Sequence, residues 1–238
     1  MQCVILAGGL ATRLWPATKL TPKSLIPING RPFAEYQLAS LATQGITDVV
    51  LCVGYLGDQI RAAIGTGTRF GVNVRYADEG QDLKGTGGGL RVALDAGLLS
   101  ETFYVMYGDS FLPIPFAPVL ESYSASECGV LMTVMRNENL WDTSNVIFSP
   151  PNVEVYNKKP DEATRVRMRY IDYGLLVLAR NLVAELIAFG EYTDLADVLK
   201  ALSLSGMVAG FEVKERFYEI GSVAGISEFS QFAAQAGL

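Results

Sequence analysis

Histidine is missing from the chain altogether. Its absence excludes Ser–His–Asp hydrolysis, imidazole acid–base chemistry and histidine-ligated metal centres. Any catalysis must therefore use carboxylates, lysine, arginine or a metal ion they hold. Cysteine is scarce and odd in number: Cys3, Cys52 and Cys128 each lie in or beside an apolar run, without metal-like spacing. That pattern excludes a disulfide framework and reads as buried thiols in a reducing compartment. No apolar stretch is long enough to span a bilayer, and the Met1-Gln2-Cys3 start lacks the basic residues that open a signal peptide. No Asn-x-Ser/Thr sequon occurs. Positive charge is also in deficit, with 19 Lys and Arg against 25 Asp and Glu, so a nucleic-acid footprint is excluded. The expected setting is the cytoplasm, with neither nucleic acid nor membrane as a partner.

What is present is a core-forming composition. Half of the 238 residues are hydrophobic and 18% are charged, enough to bury a sizeable interior. Three unbroken apolar runs, at 3–7, 49–53 and 103–107, read as parallel strands covered on both faces. Helical spacing appears at 33–43 and 90–97. The second half shows short strands at 129–135, 145–148, 153–156, 168–178 and 208–213, with helices at 195–202 and 226–236. The alternation predicts an α/β fold with a doubly wound, mostly parallel sheet. With no linker, repeat or low-complexity segment, residues 1–238 are expected to share one core, with a crevice between the two halves.

The most informative segment is Leu6-Ala7-Gly8-Gly9-Leu10-Ala11-Thr12-Arg13-Leu14-Trp15-Pro16, followed by Pro22-Lys23-Ser24-Leu25-Ile26-Pro27. A strand runs into adjacent glycines, whose missing Cβ atoms let backbone N–H groups approach anionic oxygens. Arg13 adds a planar donor fork and Lys23 a compact charge, both suited to phosphate. Neither the Gly-x-x-x-x-Gly-Lys-Ser/Thr spacing nor the dinucleotide fingerprint is present. Gly85-Thr86-Gly87-Gly88-Gly89 precedes a helical pattern, so its N–H groups are expected to face a ligand. Asp109, in Tyr107-Gly108-Asp109-Ser110, follows the third strand at the crevice, where ligands of open α/β sheets bind.

Together these residues resemble the signature of the sugar-1-phosphate nucleotidyltransferases, Gly-Gly-x-Gly-Thr-Arg-Leu-x-Pro-Leu-Thr and then Pro-Lys-Pro-Leu. The chain departs from it at Ala11, Ala17 and Ser24. The resemblance implies a Rossmann-like nucleotide-binding half over about 1–115 and a smaller sugar-binding β region with a C-terminal helix over about 116–238. It implies nucleotide contacts from Leu6, Ala7, Gly8, Gly9, Thr12, Glu79, Gly85, Thr86 and Gly87, and catalytic roles for Arg13, Lys23 and Asp109. Lys159 and Lys158, in Asn157-Lys158-Lys159-Pro160, match the sugar-phosphate turn, with Lys159 on the phosphate. Asp172 and Gly174 match the sugar-contacting motif. Asp109 and Glu219, the latter in Tyr218-Glu219-Ile220-Gly221-Ser222, stand where the family holds Mg²⁺, with Glu219 replacing an aspartate.

The implied reaction takes an NTP and a sugar 1-phosphate to an NDP-sugar and pyrophosphate. A carboxylate at Glu79 can accept from guanine N1–H and the 2-amino group, which favours GTP, with UTP the other candidate. The layout is similar to short bacterial enzymes of cell-envelope polysaccharide synthesis that act on manno-heptose or N-acetylmuramate 1-phosphate. A uridylyltransferase for an amino sugar, or a weakened homologue that binds a nucleotide-sugar and regulates a partner, are the alternatives. Oligomeric state stays open between monomer and homodimer.

Overall fold

The computed structural model describes residues 1–238, the side chain of Ala17 excepted. In the first half, strand β1 (Gln2–Leu6) is followed by a short β2/β3 hairpin (Pro27–Ile28 and Arg31–Pro32) and helix α1 (Phe33–Thr43). Next come β4 (Asp48–Val53), α2 (Gly57–Ile64), β5 (Asn73–Asp78), α3 (Gly85–Asp95) and β6 (Thr102–Tyr107). The chain continues through β7 (Ser110–Phe111), α4 (Ala117–Ala125), β8 (Val130–Arg136), β9 (Val146–Ser149), β10 (Asn152–Tyr156) and α5 (Glu162–Arg165). It ends with β11 (Tyr170–Ala179), α6 (Arg180–Leu186), α7 (Leu195–Leu204), β12 (Val208–Val213), β13 (Tyr218–Glu219) and α8 (Val223–Ala236).

One nine-stranded sheet, in the order β5-β4-β1-β6-β11-β8-β12-β10-β9, draws strands from both halves. The four strands from β5 to β6 are mutually parallel, as their unbroken apolar runs imply. Beyond β6 the sheet is mixed: β11 is antiparallel to both β6 and β8, and β12 is parallel to β8. The doubly wound α/β expectation therefore holds, and the parallel pairing belongs mainly to the first half.

Alternation along β1 divides the core. Cys3 and Ile5 pack with Ala34, Leu38, Ile60 and Val119, under α1, α2 and α4. Val4 and Leu6 pack on the other face with Leu90, Val183, Leu195 and Leu199, from α3, α6 and α7. A third cluster around Phe229 ties α8 to Phe33, Tyr36, Phe111 and Ile220. After β1 the chain winds to β4 and β5, then returns to place β6 on the opposite side of β1. This reversal opens a crevice at the carboxyl ends of β1 and β6.

The structure departs from the sequence pattern at several elements. Helix α3 begins at Gly85 rather than after the glycines, because residues 191–194 dock on its first turn and only glycine leaves room for them. Edge strand β5 and helices α2, α4 and α6 were not legible. In β5 only Val74 and Ala77 are buried among polar or half-exposed neighbours, which erases the unbroken apolar run seen in the inner strands.

Candidate active site

The ends of three parallel strands are stitched together by the backbone. Ala7 N–H donates to Cys52 O (2.8 Å), and Gly108 N–H donates to Leu6 O (2.9 Å). Gly108 has to be glycine: a Cβ there would lie 2.8 Å from Leu6 O and 2.9 Å from Ala7 Cβ, both on rigid structure. At Gly8 a Cβ would come within 2.7 Å of Glu79 Oε1, so a larger residue there would push the glutamate carboxylate aside. Ala11 occupies the position of the resembled family's third glycine and takes a left-handed backbone (φ 50°, ψ 43°). Such a conformation costs an L-residue about 1–2 kcal/mol, so the site carries local strain there. Thr18 Oγ1 and the Leu14 N–H hold the loop by donating to Ala11 O.

A cavity of about 560 Å³ opens at this crevice. It is lined by Leu6, Ala7, Gly8, Gly9, Thr12, Lys23, Glu79, Gly85, Thr86 and Asp109, all expected from sequence, and its size suits a nucleotide. Arg13 is exposed and lies outside the lining, yet close enough to Glu219 to oppose in part the burial that raises its pKa.

Lys23 is held in a short 3₁₀ turn, with Leu25 N–H on Pro22 O and Ile26 N–H on Lys23 O. Its Nζ donates to Asp109 Oδ2 at 2.6 Å. Asp109 is set by Ser110 Oγ, which donates to its Oδ1, and by Ile220 N–H, which donates to its carbonyl. Glu219 sits opposite Ser110 in the β13/β7 pair. Its carboxyl is pushed above the ordinary range, first by burial and then by the charges of Asp109 and Asp142, against Arg13 and Lys23. A half-buried glutamate whose charged form is disfavoured by a neighbouring aspartate suits a divalent cation. Mg²⁺ takes few protein oxygens and completes its shell with phosphate and water oxygens. No group of three or more acidic or thiol side chains forms a self-sufficient cage among the described residues.

Several expected residues stand elsewhere. Gly87 does not line the cavity, and its N–H, like that of Gly88, donates to Thr193 O rather than facing a ligand. The sequence motif was visible, but its partner lies over a hundred residues away. Lys159 is exposed, and its backbone N–H donates to Asn157 Oδ1. Lys158 is exposed too, but its Nζ lies 5.5 Å from the centre of the cavity-lining Tyr107 ring. Gly174, with φ +100°, lies beside that same ring, where an added Cβ would stand 3.5 Å from Tyr107 Cδ2.

Asp172 is buried, and its carboxylate accepts from Tyr107 OH (3.2 Å), Tyr156 OH (3.4 Å) and Gly174 N–H (3.0 Å). Burial pushes its carboxyl upward despite Lys158, Gly174 and the two hydroxyls, which all favour the charged form. Burial and Asp172 in turn push the Tyr107 phenol well up, so that hydroxyl remains a donor.

A carboxyl with a raised folded-state pKa contributes stability that is complete below its unfolded value and is lost as pH rises through the folded one. Asp172→Asn cannot ionise and escapes that loss. The variant is expected to melt at or above the wild-type temperature near about pH 7.5, with the difference falling or reversing near about pH 4. Melting curves across that range check it; a gap independent of pH would show that Asp172 does not titrate this way.

Sequence reasoning missed Gln37, which is fully buried on α1. Its Nε2 donates to both Tyr107 O (2.9 Å) and Ser110 O (2.7 Å), clamping the turn that carries Asp109. A glutamine among the apolar positions of an amphipathic helix was the only available signal. Tyr192 and Asp194 also line the cavity, although they come from the second half.

Comparison with known proteins follows the same outline. The sequence model of the family described as nucleotidyl transferase matches residues 2–235. An N-acetylmuramate α-1-phosphate uridylyltransferase of Neisseria meningitidis is 27% identical over 236 residues, covering 98% of each chain. A D-glycero-α-D-manno-heptose 1-phosphate guanylyltransferase of Campylobacter jejuni is 33% identical over 146 residues, covering 61% of this chain and 63% of that one. Among solved structures, the inositol-1-phosphate CTP transferase from T. maritima superposes with a TM-score of 0.77 at 24% identity, over 98% of this chain and 95% of that one.

Proposed function

This chain belongs to the nucleotidyl transferase family, and we propose that it transfers the nucleotidyl group of an NTP to a sugar 1-phosphate, releasing pyrophosphate. One observation carries the reading: the Gly8/Gly9 loop, Lys23 and Asp109 meet in one nucleotide-sized cavity at the switch point of the sheet.

A sugar-phosphate oxygen attacks the α-phosphorus of the NTP in line with the departing pyrophosphate. The attacking monoester has a second pKa of about 6 and is largely dianionic at neutral pH. No general base is needed, and the lack of histidine is no obstacle. The protein's task is alignment and charge neutralisation. In this assignment the Gly8/Gly9 backbone and Arg13 hold the β- and γ-phosphates, and Lys23 meets the charge developing on the α-phosphoryl group and leaving pyrophosphate. Asp109 and Glu219 would hold Mg²⁺, which when bound neutralises and orients phosphate oxygens. The Lys158-Lys159 turn supplies positive charge to the sugar phosphate, and the contact with Tyr107 favours Lys158 for it. Asp172 acts from beneath, as an anchor for Tyr107 and Tyr156.

Glu79 is assigned to the base edge. Its Oε2 accepts the Lys84 N–H at 2.6 Å, while Oε1 has no hydrogen-bond partner among the described residues and faces the Gly8 side of the cavity. GTP is our first choice of nucleotide and a manno-heptose or related 1-phosphate our first choice of acceptor, within bacterial cell-envelope polysaccharide synthesis. UTP with an amino-sugar 1-phosphate is the second reading, supported by the full-length similarity to the Neisseria enzyme. No helix among the described residues is long and apolar enough to cross a membrane. We place the protein in the cytoplasm from its three free cysteines.

Pyrophosphate release tests the proposal, with GTP, UTP, CTP and dTTP each paired with heptose, mannose, glucose and N-acetylmuramate 1-phosphates. The expected result is turnover, highest with GTP. UTP dependence would select the second reading, and no release with any pair would leave a nucleotide-sugar binder.

A further inference from the structure

The cavity is chemically lopsided. One end holds the Lys23–Asp109 pair with Glu219 nearby. The other is walled by Leu83 and by the Gly85 and Thr86 turn of α3, with Glu79 at its edge. Over this second end runs a strap, residues 191–194, from the distant half of the chain. Thr193 O accepts the N–H groups of Gly87 (2.8 Å) and Gly88 (3.2 Å), and Thr193 N–H donates to Lys84 O (2.8 Å). Thr86 Oγ1 donates to Asp194 Oδ1 (2.9 Å) and accepts from Leu195 N–H (2.8 Å).

The glycine cluster makes this docking possible. A Cβ on Gly85, already at φ +79°, would lie 2.6 Å from Thr193 O and 3.1 Å from Tyr192 Cε2. The Tyr192 ring therefore rests beside Gly85 at the cavity wall while staying 70% exposed.

Two aromatic residues line the cavity. Tyr107 is already engaged, with its hydroxyl on Asp172 and Lys158 over its ring. Tyr192 has an open ring on a segment fixed through its neighbour Thr193, beside Gly85. That open face, set in the cavity lining, is available to a flat ligand.

We propose that Tyr192 is the aromatic wall of a nucleobase slot: the base of the incoming NTP lies against its ring, with the triphosphate directed toward Lys23 and Asp109. This rests on the nucleotidyl-transfer reading above and adds a base-positioning residue from the second half of the chain. The same strap links the halves, since the slot is complete only when residues 191–194 are docked on α3. The glycines of α3 serve the strap, and the strap serves the nucleotide.

Binding measurements on the full chain with Mg²⁺ test the assignment, using GTP, UTP and inorganic tripolyphosphate as a base-free probe. Tyr192→Ala is expected to weaken GTP and UTP about five- to a hundred-fold, the range found when an aromatic stacked on a base is cut to alanine. Tripolyphosphate affinity should be unchanged, Tyr192→Phe should restore nucleotide binding, and Phe189→Ala, at an exposed ring outside the cavity lining, should behave as wild type. Wild-type NTP affinity in Tyr192→Ala overturns the proposal. So does an equal loss for tripolyphosphate, which would mean that the strap itself had shifted. If the wild-type chain bound no NTP at all, the nucleotidyl-transfer reading would fail first, a result distinct from either of these.

Discussion

Replacing Lys23 by alanine should lower kcat about 10²- to 10³-fold, the range seen when a preorganised donor to a developing anion is removed. KM for the NTP should change only a few-fold. The asymmetry follows from where charge appears. In the proposed site the ground-state triphosphate would have several other partners, from the glycine loop to the metal. As the α–β bond breaks, negative charge moves onto the departing pyrophosphate, and an interaction that strengthens at that moment acts on kcat. The environment amplifies it: the Lys23 side chain is 15% exposed and Asp109 27%, so water screens the ammonium poorly.

Arginine should not rescue the loss. A planar fork does not reproduce a compact ammonium in the 2.6 Å contact with Asp109 Oδ2. Steady-state pyrophosphate release, with the melting temperature measured in parallel, separates lost chemistry from lost folding. Wild-type turnover by Lys23→Ala would remove this residue from the mechanism.

Phe229→Ala should destabilise the fold by about 3–5 kcal/mol, the usual cost of deleting a buried phenyl ring. Phe229 is fully buried, with ring centres 5.1 Å from Phe33, 5.3 Å from Tyr36 and 5.0 Å from Phe111. Rings surround it on several elements, so no single neighbour can move in to fill the void.

The damage should also reach the site. Phe111 belongs to β7, and its neighbour Ser110 faces Glu219 across the β7/β13 pair. Tyr218, beside Glu219, stacks on Phe232 with ring centres 4.2 Å apart. Loosening α8 therefore loosens the second carboxylate of the expected metal pair. The expected signature is a lower denaturant midpoint at unchanged slope, together with a raised Mg²⁺ requirement in the protein that remains folded. A loss below about 1 kcal/mol would show that α8 can be repacked without this ring.

The parts of the site legible in the sequence share one property: their chemistry is written in consecutive residues. The turn from β1 into Gly8 and Gly9, Lys23 between two prolines, and Asp109 at the end of β6 each combine a strand end with the residue that acts there. Local rules reach that far, and the cavity lining agrees with them. The same rules read the N–H groups of Gly85–Gly89 as facing a ligand, because a glycine-rich helix start usually offers them. Nothing nearby in the chain shows that Thr193 takes two of them.

Asp172 and the two lysines show the same limit from another side. Motif position made Asp172 a sugar contact and Lys159 the phosphate lysine. Packing buries Asp172 under two tyrosine hydroxyls and brings Lys158 to the Tyr107 ring. Which of two adjacent lysines faces a cavity depends on how a turn is held by strands far away in sequence. Gln37 is a stronger case, since its only purpose visible here is to fasten a turn seventy residues later.

Residue order alone thus marked out the glycine loop, the lysine and aspartate that meet it in the cavity, and the parallel first half of the sheet. Each follows from backbone freedom, charge type and unbroken apolar runs, which are local properties. Folding in three dimensions settled the rest: the clamp on Asp109, the approach of Glu219 to it, and the strap that carries Tyr192 to the cavity. Those depend on contacts between distant segments, and such contacts exist only once the sheet has brought the two halves of the chain together.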